Sequence, residues 1–114
     1  MGSRRTIRCA LPLAMCAGLV FTPCLNAQTV FGPPDCGQWV NAQPVQRPVY
    51  RSWLLGYLSG LNVRNDMANL RPRDPLDKLS SAEQAYVWMD NYCRSNPLSK
   101  VTVGGWTLFQ ELSR

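Results

Sequence analysis

The chain contains no histidine. That removes the commonest general base, the Ser-His and Cys-His nucleophile pairs, and most transition-metal sites. No two of the five cysteines stand in a CxxC pair, so no dithiol redox motif or zinc knuckle is present. The Gly104-Gly105 pair lacks the lysine and flanking pattern of a phosphate-cradling loop. The longest uncharged apolar run, Cys9 to Phe21, falls short of the roughly 20 residues that span a bilayer. Acids are few, seven in all: Asp35, Asp66, Asp74, Asp77, Glu83, Asp90 and Glu111. Asp74 and Asp77 lie close enough in sequence to suggest paired carboxylates. Arg71, Arg73 and Lys78 beside them point to surface ion pairing instead, with nothing to supply a burying environment. An enzyme, a cofactor, a bound metal and a small-molecule substrate are therefore not expected.

What is present begins with Arg4, Arg5 and Arg8, followed by the apolar run and then by Thr22-Pro23-Cys24-Leu25-Asn26-Ala27. A positive start, a short apolar core and a small-residue exit make a secretory signal over residues 1–27, cleaved after Ala27. Neither Met15 before Cys16 nor Pro23 before Cys24 is the small residue that precedes a lipidated cysteine. The expected destination is the periplasm. Loss of the signal changes the electrostatics. The full chain carries a net charge of +5, but from Gln28 onward nine Lys and Arg face seven acids, leaving +2. A nucleic-acid binder needs a concentrated basic face, so no nucleic-acid partner is expected.

The signal also takes Cys9, Cys16 and Cys24 with it, leaving Cys36 and Cys93. An even pair in an oxidising compartment reads as a disulfide. The remaining 87 residues, 28–114, hold one domain, too small to bury a large core, so a covalent staple matters.

Residues 28–34 read as an extended arm. Cys36 to Ala42 can form one or two helical turns behind an Asp35 N-cap, and Pro44 and Pro48 then break the chain. Tyr50, Trp53, Leu54, Tyr57, Leu58 and Leu61 form the apolar stripe of a helix over about Val49 to Asn65. Gly56, Ser59 and Gly60 beside that stripe predict close approach of another helix, to offset the helix propensity they forfeit. Asn65 to Leu79 reads as a long loop with at most one turn, of a length that is uncommon without structure and often functional. Two overlapping capping boxes, Ser80 to Glu83 and Ser81 to Gln84, open a helix that buries Ala82, Ala85, Tyr86, Met89, Tyr92 and Cys93 and ends near Ser95. Asn96-Pro97 then reads as the start of a last helix with Leu98, Val101, Gly105, Leu108, Phe109 and Leu112 at helical spacing. Val101 to Leu108 also carries a hairpin signal, β-branched residues around Gly-Gly, but such short arms are marginal alone. The fold class expected is all-α: about four helices closed by one disulfide. Trp39 is placed near the disulfide and Trp53 in the core. Trp88 and Trp106 fall off their apolar stripes and are candidates for partner contact, as is the loop bearing Arg71, Arg73, Asp74 and Asp77.

The segments Cys36-Gly37-Gln38-Trp39, Trp53-Leu54-Leu55-Gly56-Tyr57-Leu58-Ser59-Gly60, Trp88 to Leu98 with its Asn96-Pro97, and Leu108 to Leu112 resemble two groups of small exported bacterial proteins. One is the HdeA-type periplasmic acid-stress chaperones. The other is the Rap/Tai-type immunity proteins of type VI secretion. The resemblance spans about Cys36 to Leu112 and its motifs are structural. It implies an all-helical, non-enzymatic periplasmic domain, a Cys36–Cys93 link, protein partners and a homodimer. The chaperone group implies a holder of unfolding clients; the immunity group implies an inhibitor whose loop plugs a cell-wall amidase. The chain departs from both. Seven acids are few for an acid sensor, and Trp53 to Gly60 lacks the cysteine usual in the immunity group.

Overall fold

The computed structural model describes residues 32–114. The expected signal peptide, 1–27, and the first part of the expected arm lie outside them. Four α-helices and one 3-10 turn follow in order: α1 Cys36–Val40, α2 Arg47–Met67, the 3-10 turn η1 Pro75–Lys78, α3 Ala82–Ser95 and α4 Val101–Leu112. There is no strand among the described residues, only an isolated antiparallel bridge between Asp35 and Lys100. The domain is all-α and closed by the Cys36–Cys93 disulfide, with Cα atoms 4.8 Å apart. No described helix is long and apolar enough to cross a membrane.

α1 starts as a full capping box: Asp35 Oδ1 accepts from Gln38 N at 2.7 Å and Gln38 Oε1 accepts from Asp35 N at 3.0 Å. Five residues make a helix too short to stand alone, so tertiary ties hold it. Cys36 N donates to Ser99 O, and Val101 N donates to Pro34 O. These two bonds clamp the end of the arm and the start of α1 against the α3–α4 connection.

α2 begins two residues earlier than the stripe suggests. Pro48 sits in the first turn, where its missing N–H would have no helical partner anyway, so it opens the helix instead of breaking the chain. At its far end Asn69 takes the left-handed conformation, φ 52°. Leu70 N then reaches Asn65 O and Asn69 N reaches Asp66 O, the paired bonds of a Schellman stop.

α3 has the bounds read from the sequence, but its start is built differently. Ser81 is the N-cap without a side-chain bond, and Gln84 Oε1 accepts from Ser80 N. Neither predicted serine cap forms, and Ala82, in the first turn, is exposed and not buried. The last helix starts at Val101, four residues after Pro97. Asn96 Nδ2 donates to Tyr92 O and so closes α3 instead of opening α4, leaving Leu98 wholly exposed in the connection. The hairpin alternative for Val101 to Leu108 does not form.

The core is Leu54 and Leu58 of α2, Ala85, Tyr86, Met89 and Cys93 of α3, Val101, Leu108 and Phe109 of α4, with Cys36 and Trp39 of α1. Trp53 and Tyr57 stack on its flank, ring centroids 5.3 Å apart. Burial pushes the Tyr57 hydroxyl above its usual range. α4 nests against both long helices through its glycines. Gly104 faces Met89 and Tyr92 of α3, while Gly105 faces Tyr57 and Leu54 of α2. Gly56 and Gly60 behave otherwise: a Cβ at either would meet nothing within 4 Å. The close helix approach expected there is absent among the described residues, because the pairing that needs small residues is made by α4.

Candidate partner-binding surfaces

The 65–79 loop is not slack. Asn65, buried at the end of α2, donates through Nδ2 to Pro72 O at 2.7 Å and to Arg73 O at 3.3 Å. One turn earlier, Asn62 Nδ2 donates to Asp74 Oδ1 at 2.8 Å. Pro75 is fully buried, and Leu76 and Leu79 pack on the core. Lys78 Nζ donates to the Arg114 carbonyl at 2.6 Å, tying η1 to the end of α4. The result is a preformed loop with Arg71, Arg73 and Asp77 exposed and Asp74 engaged by Asn62. Asp77 lies in the first turn of η1, its backbone N–H donating to Asp74 O at 3.2 Å. Replacing Asn65 by alanine removes the donor from two loop carbonyls. A loss of about 1–3 kcal/mol is expected, read as a lower urea midpoint with faster amide exchange at Leu70. An unchanged midpoint would show that Pro75 and its neighbours hold the loop without it.

The structure separates the two candidate tryptophans. Trp88, half-buried on α3, donates through Nε1 to Glu111 Oε2 of α4 at 3.0 Å and stacks on Tyr92. Its bulk is therefore committed to the α3–α4 junction. Trp106 is exposed on α4, its ring against Phe109. Residues 106 and 111 lie about 140° apart around the helix, so Trp88 and Trp106 do not share a face. Of the two, Trp106 offers the freer contact surface.

A third surface escaped the sequence reading. Beside the disulfide, a pocket of about 100 Å³ is lined by Trp39, Val40 and Ala42 from α1 and its exit, Arg47, Tyr50 and Arg51 from the first turns of α2, and Asp90 and Arg94 from α3. Trp39 is buried and donates its indole N–H to Asp90 Oδ1 at 2.7 Å. Arg51 lies over the Tyr86 ring, its guanidinium carbon 4.6 Å from the centroid. Arg47 reaches back to Ala42 O at 3.4 Å. A second depression, bordered by Pro44, Pro48, Ser52, Glu83 and Tyr86, shares Arg47 and Arg51 with the first. One signal was visible in the sequence: Arg47 and Arg51, four apart, share a helix face. Arg94 reaches them from α3 through tertiary contacts such as the Arg51–Tyr86 stack and the Trp39–Asp90 bond, which no local pattern encodes.

Fold and surfaces together define a small all-α, disulfide-closed domain with no cluster of three or more potential metal-ligating His, Cys, Asp or Glu side chains among the described residues. No family model, curated protein or solved structure matches the chain.

Proposed function

We propose that the chain works in the periplasm as a non-enzymatic protein-binding domain, chaperone-like in the manner the HdeA resemblance implies. The observation that supports this reading is the outward face of α2. Val49, Val63 and Met67 are all exposed there, within about 40° of one another around the helix. Gly56 and Gly60 lie between them, and among the described residues nothing stands within 4 Å of where a Cβ would be at either. A smooth apolar strip of this kind suits loose contact with exposed segments of other proteins.

The test is aggregation suppression. The disulfide-intact protein, mixed with two unrelated periplasmic enzymes returned from acid to neutral pH, is expected to keep both soluble. A Val63→Asp/Met67→Asp variant is expected to lose most of that effect while unfolding at the same urea concentration. Protection of neither client, or equal protection by the variant, would remove the reading.

The preformed 65–79 loop favours a second reading, a dedicated inhibitor of a cell-wall amidase toxin. Its exposed Arg71 and Arg73 stand on a backbone already ordered by Asn65, and pre-ordering lowers the entropy lost on binding one partner. A single tight partner at neutral pH, lost on substitution of Arg71 and Arg73, distinguishes it.

A further inference from the structure

The pocket between α1, α2 and α3 is lined by three arginines, Arg47, Arg51 and Arg94, and by a single acid, Asp90. That carboxylate already accepts the Trp39 indole N–H. Among the described residues no ion pair joins any of the three arginines to an acid. The arrangement leaves an excess of positive charge in a partly enclosed space, where screening is weaker than on an open surface.

How Arg51 is held adds direction. Its flat face rests on Tyr86, a contact that uses the π face of the ring and leaves the N–H edge of the guanidinium free. A guanidinium edge presents parallel donors matched to the two oxygens of a carboxylate. Arg47, four residues earlier on the same helix, lies alongside it in both depressions. The remaining walls are Trp39, Val40, Ala42 and Tyr50, which suit methylene groups and not a second charge. Three arginines against two acids, Asp90 inside the pocket and Glu83 at the adjoining depression, leave a net charge of +1, which a single carboxylate balances. The two depressions share Arg47 and Arg51, so the groove continues past a single ligand group. That is the shape of a site for a chain.

We infer that the Arg47–Arg51–Arg94 pocket is a binding site for a carboxylate-bearing peptide segment, an acidic side chain seated on the arginine edges with its backbone running toward Pro44 and Pro48. The site stands apart from the α2 strip proposed above. Arg47 and Arg51 lie on the side of the helix opposite Val49, Val63 and Met67 by its 3.6-residue period. Client protection and occupancy of this pocket can therefore fail independently.

The test uses the disulfide-intact protein and a blocked hexaglutamate peptide at physiological salt. Titration is expected to shift the Trp39 indole N–H resonance, since that proton sits on the pocket wall. Arg51→Gln and Arg94→Gln are each expected to weaken the affinity by about tenfold or more, with circular dichroism unchanged. Arg64→Gln/Arg114→Gln removes two exposed positive charges outside the pocket and is expected to leave the affinity essentially as it was. The assignment is overturned if the Trp39 resonance does not move, if this control variant loses as much affinity as the pocket variants, or if inorganic phosphate at equal charge displaces the peptide as well as free glutamate does.

Discussion

Replacing Cys36 and Cys93 together by alanine is expected to destabilise the domain by about 4 kcal/mol, the value that loop-closure entropy gives for a span of this length. The two half-cystines are 57 positions apart and neither is exposed. Small domains hold a total of about 5–15 kcal/mol, so this is a large fraction. For a domain of this size the melting temperature should fall by on the order of 20 °C. The loss is also local. α1 has five residues and cannot persist without its ties to α3. With the disulfide gone, α1 keeps the Trp39–Asp90 bond, the packing of Trp39 and the backbone bonds at its start to Ser99 and Val101. Amide exchange at Trp39 and Val40 should then rise before α2 and α3 open. Urea unfolding of the oxidised, reduced and double-alanine proteins measures the first effect, and hydrogen exchange the second. Equal midpoints for the oxidised and reduced forms would show that the bond contributes nothing to stability.

This dependence explains which parts of the molecule could be read from the chain. α3 was legible because Ala85, Tyr86, Met89 and Cys93 repeat at three and four within one contiguous segment. The centre of α2 was legible for the same reason. Its start was misread because Pro48 signals a break in isolation and is harmless in the first turn. Asn96-Pro97 carries the residues of a helix start, but the Asn96 side chain turns back onto Tyr92 O. A competing hydrogen bond of equal quality, not weak propensity, decided that boundary. The 65–79 loop showed only that it was long; its order depends on Asn62 and Asn65 reaching residues as far as twelve positions away. The arginine pocket needs three helices in place, with α1 and α3 joined by the disulfide. Its residues are ordinary surface arginines in any local window.

The Gly-Gly pair of α4 gives the sharpest contrast between sequence and structure, and the second large expected effect. On propensity alone, alanine at either position should stabilise a helix by about 1 kcal/mol. In the folded domain Gly104→Ala is expected to destabilise by about 1–3 kcal/mol instead. Its Cβ would lie 2.7 Å from both Met89 Sδ and Tyr92 Cδ1. Neither can withdraw easily: Met89 is fully buried with its sulfur 3.9 Å from Cys93 Sγ, and Tyr92 is stacked on Trp88 and bonded to Ser99. Gly105→Ala meets the Tyr57 ring at 2.9 Å, a partly exposed side chain with more room to shift, so a smaller loss is expected. Gly56→Ala and Gly60→Ala meet no atom of the described residues within 4 Å, and each should raise stability by about 1 kcal/mol. Thermal unfolding of the four variants at low protein concentration separates the two pairs by sign. If Gly104→Ala is neutral, α4 does not sit as closely on α3 as its glycine requires. If Gly56→Ala and Gly60→Ala stabilise the domain while reducing client protection, close contact along α2 belongs to the partner and not to the fold. The two glycines would then have been retained against their helical cost for binding.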